Sequence, residues 1–173
     1  MDVSDLIDRS EISDVLARYA RGVDRGDWEL VRACYHADAR DDHGLYRGDV
    51  DGLLEFLQQL AGQLVGTTHH LGNHLIELNG DVAHVETSCL GWYRTLDRTG
   101  AERSVAQGLR YLDRLERRDG TWAIDERVVV LDWEHIFQAG RPSSISPDWQ
   151  RGSRGTGDPS YRRLSRWPVS QVR

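Results

Sequence analysis

Residues 66–74 read Gly-Thr-Thr-His-His-Leu-Gly-Asn-His, and they separate a helical first part of the chain from a strand-rich second part. Three of the seven histidines, His69, His70 and His74, lie within this stretch. A histidine at such a place can act as a base, bind a metal ion or simply pack in the fold. The choice between these roles depends on which other side chains the fold brings to it.

The sequence beyond this stretch has the alternation and the turn signals of antiparallel strands. Asn79-Gly80-Asp81 and Asp119-Gly120 predict two tight hairpin turns. Together with these turns, the pattern predicts a curling meander of four strands, which cover residues 69–78, 83–95, 104–117 and 122–133.

The first part of the chain has apolar residues at helical spacing. This spacing predicts a long helix with Ser4 as its N-cap and an end near Gly26, a short helix capped by Asp27, and a third helix over residues 50–64. The short helix carries Trp28, Leu30, Val31 and Tyr35. Residues 36–48 are polar and are predicted to be irregular. Because helices precede strands, the pattern favours an α+β fold whose helices cover one face of the sheet.

The length of 173 residues suits one domain with a substantial core. We predict a single domain over residues 1–140 and a tail over residues 141–173. All four prolines lie in the tail, among Gly, Ser and Arg residues. Since this composition predicts no core, the tail is expected either to be disordered or to lie over its own or a neighbouring subunit.

The composition argues against several classes of function. A net charge of −6 argues against a nucleic acid partner. All 22 basic residues are arginine, which excludes a lysine nucleophile or Schiff base. No apolar run is long enough for a membrane span and no export signal is visible, so we expect a cytoplasmic protein without a membrane partner. There is no phosphate-binding glycine loop, so no nucleotide cofactor is expected.

A metal site can also be considered for the histidines. His70 and His74 are four residues apart and would share one strand face, with Asp41-Asp42-His43 available from the preceding segment. This spacing matches no recognised ligand pattern, and Cys34 and Cys89 have no motif spacing either. We therefore predict no metal and no other cofactor.

Three groups of residues carry a family resemblance. They are Gly22-Val23-Asp24, then Thr67-Thr68-His69 followed by Asn73, and the segment 111–122 with Arg127 beyond it. With these motifs the chain resembles the SnoaL-like branch of the nuclear transport factor 2-like superfamily. Within that branch it is similar to the group that contains scytalone dehydratase, bile-acid 7α-dehydratase and hexachlorocyclohexane dehydrochlorinase.

The resemblance covers about residues 5–137 and implies both a fold and an activity. The implied fold is a cone-shaped α+β barrel with N-terminal helices packed on a curved, mainly antiparallel sheet. The implied activity is that of a cofactor-independent lyase, of the dehydratase or dehydrohalogenase type, acting on a small hydrophobic cyclic substrate. The resemblance also implies a homo-oligomer, with a trimer favoured over a dimer.

The family pattern places the catalytic aspartate at Asp24, the catalytic histidine at His69, the active-site arginine at Arg127 and the active-site tyrosine at Tyr19. A carboxylate next to a histidine orients the ring and stabilises its charged form, as a general base requires. Since His70 follows His69 directly, His70 stays an alternative base on the other strand face.

Two of these residues also allow a structural role. A buried Arg127 either pairs with a carboxylate or faces a ligand. Tyr19 either packs in the core or donates a hydrogen bond to a substrate carbonyl. Further residues are candidates for lining a substrate pocket: Tyr46, His70, Asn73, Trp92 and Trp133. The same pocket would also suit a proton-shuttle isomerase, a polyketide or terpenoid cyclase, or a binding protein without catalysis.

Overall fold

The computed structural model describes residues 2–138, 146 and 148–161. Its helices are α1 (Val3–Arg25), α2 (Trp28–Arg32) and α3 (Val50–Gly62). Its strands are β1 (Tyr35–Asp42), β2 (Arg47–Asp49), β3 (Leu64–Asn79), β4 (Val82–Leu96), β5 (Glu102–Arg118) and β6 (Thr121–Phe137).

The six strands form one curved, unclosed sheet in the order β2-β1-β6-β5-β4-β3. Strands β3 to β6 form the predicted antiparallel meander, and β1 pairs with β6 in the parallel direction. The helices pack on the concave face, where Ile12 and Leu16 of α1 and Leu53 of α3 are fully buried. The predicted α+β fold, a cone of helices on a curved sheet, is confirmed.

The first helix begins two residues earlier than predicted. Asp2, rather than Ser4, is its N-cap. The Asp2 carboxylate accepts a hydrogen bond from the amide of Asp5, and the Asp5 carboxylate accepts one from the amide of Asp2, which together form a capping box. The helix ends at the predicted place, where Gly26 has a positive φ of 65°. The predicted cap at Asp27 is confirmed, since its side chain accepts from the amide of Leu30.

The prediction of an irregular segment over residues 36–48 is wrong. Strands β1 and β2 lie there, and Tyr35 belongs to β1 rather than to the second helix. The segment lacks apolar alternation because its polar side chains have partners within the fold. Asp41, for example, lies opposite Arg127 of β6 and accepts a hydrogen bond from Tyr35. Pairing with a strand distant in sequence therefore outweighs the local pattern.

The prediction that His70 and His74 share a strand face is also wrong. His70 lies opposite Leu90, Leu71 opposite Cys89, and His74 opposite Thr87, so β3 has one extra residue at this point. This bulge shifts the alternation by one position. His70 is consequently exposed, whereas His74 points inward and its Nδ1 lies 3.0 Å from the hydroxyl of Thr87.

The described part of the tail lies against the end of α1. The amide of Gly155 donates to the carbonyl of Arg25 over 2.6 Å, and Tyr161 donates to Asp27 over 2.8 Å. Residues 141–145, 147 and 162–173 of the predicted tail lie outside the described residues, as do residues 139 and 140 before it. None of the helices in the described part of the chain has the length and apolar character needed to span a membrane.

Candidate active site

The centre of the candidate site is a histidine held by an aspartate from the end of α1. The Nδ1 of His69 lies 2.7 Å from one carboxylate oxygen of Asp24, and the backbone amide of His69 donates to the other oxygen over 2.9 Å. Only 6% of the His69 side chain and 11% of the Asp24 side chain are exposed. Because the carboxylate accepts a hydrogen bond from Nδ1–H, the nitrogen Nε2 is the one available for chemistry.

The local sequence explains why Asp24 reaches β3. Its helix ends two residues later at Gly26, so Asp24 lies in the last turn, where the chain leaves the helical packing. Gly22 lets α2 approach the same turn, since a Cβ atom at Gly22 would lie only 2.7 Å from a methyl group of Val31. The end of α1 is thereby fixed between α2 and β3, which positions the carboxylate.

Tyr93 of β4 is the nearest polar group to the free nitrogen of His69. Its hydroxyl lies 3.5 Å from Nε2, and the two rings meet edge to face with centroids 5.8 Å apart. Burial raises the pKa of Tyr93 above its ordinary value, which keeps the phenol neutral and able to donate a proton or a hydrogen bond. Tyr93 is a candidate site residue that sequence analysis did not select.

Arg127 forms a buried ion pair. Its Nε and Nη2 donate to the two carboxylate oxygens of Asp113 over 2.6 and 2.7 Å, and neither side chain is exposed. The guanidinium also lies over the rings of Tyr19 and Tyr111, at 4.1 and 4.4 Å from their centroids. Of the two arrangements that the sequence left open for Arg127, the structure has the one in which a carboxylate is its partner.

Tyr19 lies in the same buried layer below the dyad. Its ring meets those of Tyr35 and Tyr111 edge to face, each with centroids 5.9 Å apart. Burial raises the pKa of Tyr19, so this phenol also stays neutral. The lower part of the cone is filled by these rings and by Arg127, each at most 2% exposed except Tyr35.

The open part of the concave face lies above this layer. A row of paired residues crosses the sheet here from β6 to β3, namely Leu131, Leu109, Cys89 and Leu71. Leu131 is 54% exposed. His69 and Leu71 alternate on the same strand and share this face. This row across the concave face, which ends at the strand of the dyad, is therefore apolar.

Three of the predicted pocket residues lie on the other face of the sheet. Gly91 is opposite His69, so the next residue, Trp92, points away from the dyad. His70, opposite Leu90, points outward as well. Trp133 packs over Gly108, where a Cβ atom would lie 2.2 Å from the indole nitrogen. A register shift in β6 between Leu131 and Trp133 moves Trp133 to the sheet face opposite to that of Arg127.

The two remaining predicted pocket residues are also engaged elsewhere. Asn73 is exposed in the β3 bulge. Tyr46 stacks on Phe56 of α3 with ring centroids 5.9 Å apart and donates a hydrogen bond to the carbonyl of Asp49. No cluster of three or more histidine, cysteine or acidic side chains suited to a metal ion occurs among the residues that the structure describes.

Comparison with known proteins places this geometry in a family. The model of the SnoaL-like domain matches residues 4–128. An uncharacterised protein of Mycobacterium tuberculosis is 27% identical over 133 residues, which cover 74% of this chain and 88% of that protein.

Two solved structures have the same fold. A scytalone dehydratase-like protein from Novosphingobium aromaticivorans is 18% identical with a TM-score of 0.71, covering 84% of this chain and 99% of that one. The hexachlorocyclohexane dehydrochlorinase LinA-type3 from Novosphingobium barchaimii is 18% identical with a TM-score of 0.72, covering 85% of this chain and 100% of that one. With the family model matching most of its length, the chain belongs to the SnoaL-like domain family.

Proposed function

We propose that the protein is a cofactor-independent lyase that eliminates water or a halide from a small hydrophobic cyclic molecule. His69 removes a proton from a carbon of the substrate, while Asp24 orients the ring and stabilises its charged form. The observation that carries this proposal is the double contact of Asp24 with the ring and the backbone amide of His69. Such a contact fixes both the tautomer and the direction of the base.

The group that stabilises the developing negative charge is Tyr93 rather than Arg127 or Tyr19. Its neutral hydroxyl lies beside Nε2 of His69, where a substrate carbonyl oxygen can accept a hydrogen bond from it. Arg127 and Tyr19 are closed in below the site. Tyr19 is neutral and the charge of Arg127 is paired with that of Asp113, so these two residues form the floor of the site and do not contact the developing charge.

The comparisons support a lyase by likeness of fold, since two of the similar structures are named as a dehydrochlorinase and a scytalone dehydratase-like protein. The apolar surface around Leu71 and Leu131 supports a hydrophobic substrate. The exposed apolar side chains on the outer sheet face, which include Leu75, Leu112 and Trp133, support sheet-to-sheet assembly into a homo-oligomer.

The test is a product analysis by mass spectrometry with ring ketones that have a hydroxyl or chlorine on the β carbon. A lyase yields products that lack the mass of water or of hydrogen chloride, and His69→Gln should yield none above the buffer rate. His70→Gln is the matched control, because this neighbouring histidine points outward. If wild-type protein accelerates no elimination, or if His69→Gln keeps full activity, the proposal is wrong.

A second candidate is proton-shuttle isomerisation or cyclisation in the same pocket. The position of the Tyr93 hydroxyl beside Nε2 favours it, because one neutral donor and one base are sufficient to form an enol and return the proton elsewhere. The same analysis separates the two functions, since an isomerised product keeps the mass of the substrate. Binding of the ligand without any change in it would indicate a binding protein.

A further inference from the structure

The chain contains a second histidine that is held by an aspartate in the same manner as His69. The Nδ1 of His43 lies 2.8 Å from one carboxylate oxygen of Asp41. The Asp41 side chain is fully buried, whereas 17% of the His43 side chain is exposed. As with His69, this contact engages Nδ1 with the carboxylate, so Nε2 is the ring atom through which a proton can be taken up or released.

A buried network fixes the carboxylate of Asp41. Its second oxygen accepts a hydrogen bond of 2.7 Å from the hydroxyl of Tyr35. Arg127 donates to the same hydroxyl over 3.5 Å and is itself fixed by Asp113. A turn histidine needs no such support, because an exposed carboxylate or water would satisfy its ring equally well. The network therefore points to a role for the His43 ring beyond closing the hairpin.

The contact with Asp41 places the His43 ring on the concave face. Asp41 lies opposite Arg127, which is opposite Asp113, and all three side chains point to the interior. His43 lies in the turn that follows β1, and its ring reaches back to the Asp41 carboxylate on this same side. Phe56 of α3 lies beside the imidazole, with ring centroids 6.5 Å apart. His69 belongs to β3, at the opposite edge of the same curved sheet.

We propose that His43, held by Asp41, is the general acid of this site and that the substrate is therefore a β-hydroxy carbonyl compound rather than a halide. This inference rests on the proposed lyase function. His69 accepts the proton of the C–H bond, whose electron pair forms the new C=C bond. The C–O bond breaks as the leaving oxygen takes the Nε2 proton of His43, which acts in its imidazolium form beside the Asp41 carboxylate, so that one water molecule departs.

The substrate class follows from the chemistry of the leaving group. Hydroxide is a poor leaving group and needs a proton, whereas chloride leaves as a stable anion without one. His43, as an acid across the cone from His69, therefore helps only a substrate that loses a hydroxyl group. After turnover His69 holds the extra proton and His43 lacks one, and exchange with solvent restores both because each ring is partly accessible.

The test compares two substrates that differ only in the leaving group, β-hydroxycyclohexanone and β-chlorocyclohexanone. The variant is His43→Gln, with His84→Gln, which removes another exposed histidine, as its control. We expect His43→Gln to slow water loss about 100-fold and to leave chloride loss within about threefold of wild type. A merely structural role would change both rates by the same factor. Asp41→Asn should give the same selective loss in the fraction that folds.

The outcomes separate the two proposals. Equal effects of His43→Gln on both substrates, or no effect on either, would overturn the role of His43 and leave the lyase function intact. Wild-type protein that accelerates chloride loss alone would also overturn it, because the acid would then have no use. Wild-type protein that accelerates neither reaction would overturn the lyase function and, with it, this inference.

Discussion

Asp24 holds His69 at two points, with one carboxylate oxygen on the ring and the other on the backbone amide. The double contact links the end of α1 to the third strand and fixes the imidazole without help from the substrate. An arrangement that is ready before binding lowers the cost of organising the base during the reaction.

Removal of the Tyr93 hydroxyl should weaken catalysis without weakening the fold. Tyr93→Phe keeps the ring that packs against His69 and removes only the donor at 3.5 Å from Nε2. We expect kcat for elimination to fall about 100-fold, as when one donor to a developing oxyanion is lost. Urea unfolding should give a midpoint close to that of wild type, and an unchanged kcat would exclude Tyr93 from the site.

Removing one partner of the buried Arg127–Asp113 ion pair should destabilise the fold. Arg127→Met leaves the carboxylate of Asp113 buried without its partner, which should lower the free energy of unfolding by about 3 to 5 kcal/mol. The double variant Arg127→Met with Asp113→Leu removes both charges and should recover much of this loss. Chemical denaturation of the single and double variants measures the difference. A double variant less stable than Arg127→Met would contradict this account.

His74 should make stability depend on pH. Burial holds the pKa of His74 below its ordinary value of 6.5, with the charge of Asp113 acting in the opposite direction. The unfolded chain therefore takes up this proton at a higher pH than the folded one, so the contribution is constant above about pH 6.5 and declines as the pH falls below it. Wild type should lose more stability between pH 7 and pH 5 than His74→Gln, measured by urea unfolding at both values. Equal losses would contradict the assignment.

Asp158 should anchor the described part of the tail to α1. Hydrogen bonds from the Ser160 hydroxyl and from the amides of Ser153 and Ser160 lower the pKa of Asp158, whose carboxylate also faces Arg25. The ionised Asp158 carboxylate therefore stabilises the folded state at any pH above the ordinary pKa of an aspartate. This contribution declines as the pH falls through the lower pKa that Asp158 has in the folded state. Asp158→Asn should make the bond after Arg154 more sensitive to trypsin at neutral pH. Cleavage at the wild-type rate would show that the tail is held by other contacts.

The outer sheet face should mediate self-association. Trp133 and Leu112 are exposed there, beside Leu75 and the stacked rings of Trp92 and Phe137. We expect light scattering to give a homo-oligomer, with a trimer favoured over a dimer, and expect Leu112→Glu to reduce the mass to that of a monomer. A wild-type monomer at micromolar concentration would contradict this prediction.

The sequence predicts most of the fold because local signals coincide with it. Asp27 caps a helix, Gly26 ends one, and the turns at Asn79-Gly80 and Asp119-Gly120 separate long strands. Strand β1 has no such signal, since polar side chains such as His36 and Asp38 find their partners at Glu116 and Arg118 of β5, which lies far along the sequence. A local periodic pattern contains no information about a partner that is distant in sequence.

The candidate site was predictable in part for the same reason. Asp24 and His69 are identified by motifs on either side of them, and the structure brings them together. Trp92 and Trp133 were misplaced because the direction of a strand side chain depends on bulges that the sequence does not mark. Tyr93 was not selected because its approach to His69 depends on the pairing of β3 with β4, which no local pattern specifies. His43 was considered only as a metal ligand, because the buried network that holds Asp41 is not visible in the sequence.

The central claim is that His69, oriented by Asp24, removes the substrate proton. The most direct measurement is the rate of elimination by Asp24→Asn, together with circular dichroism and the melting temperature. The asparagine keeps the size of the side chain but removes the charge that stabilises the imidazolium. The account predicts that turnover falls at least about 100-fold, while the spectrum and the melting temperature stay close to those of wild type. Full activity in this variant would contradict it.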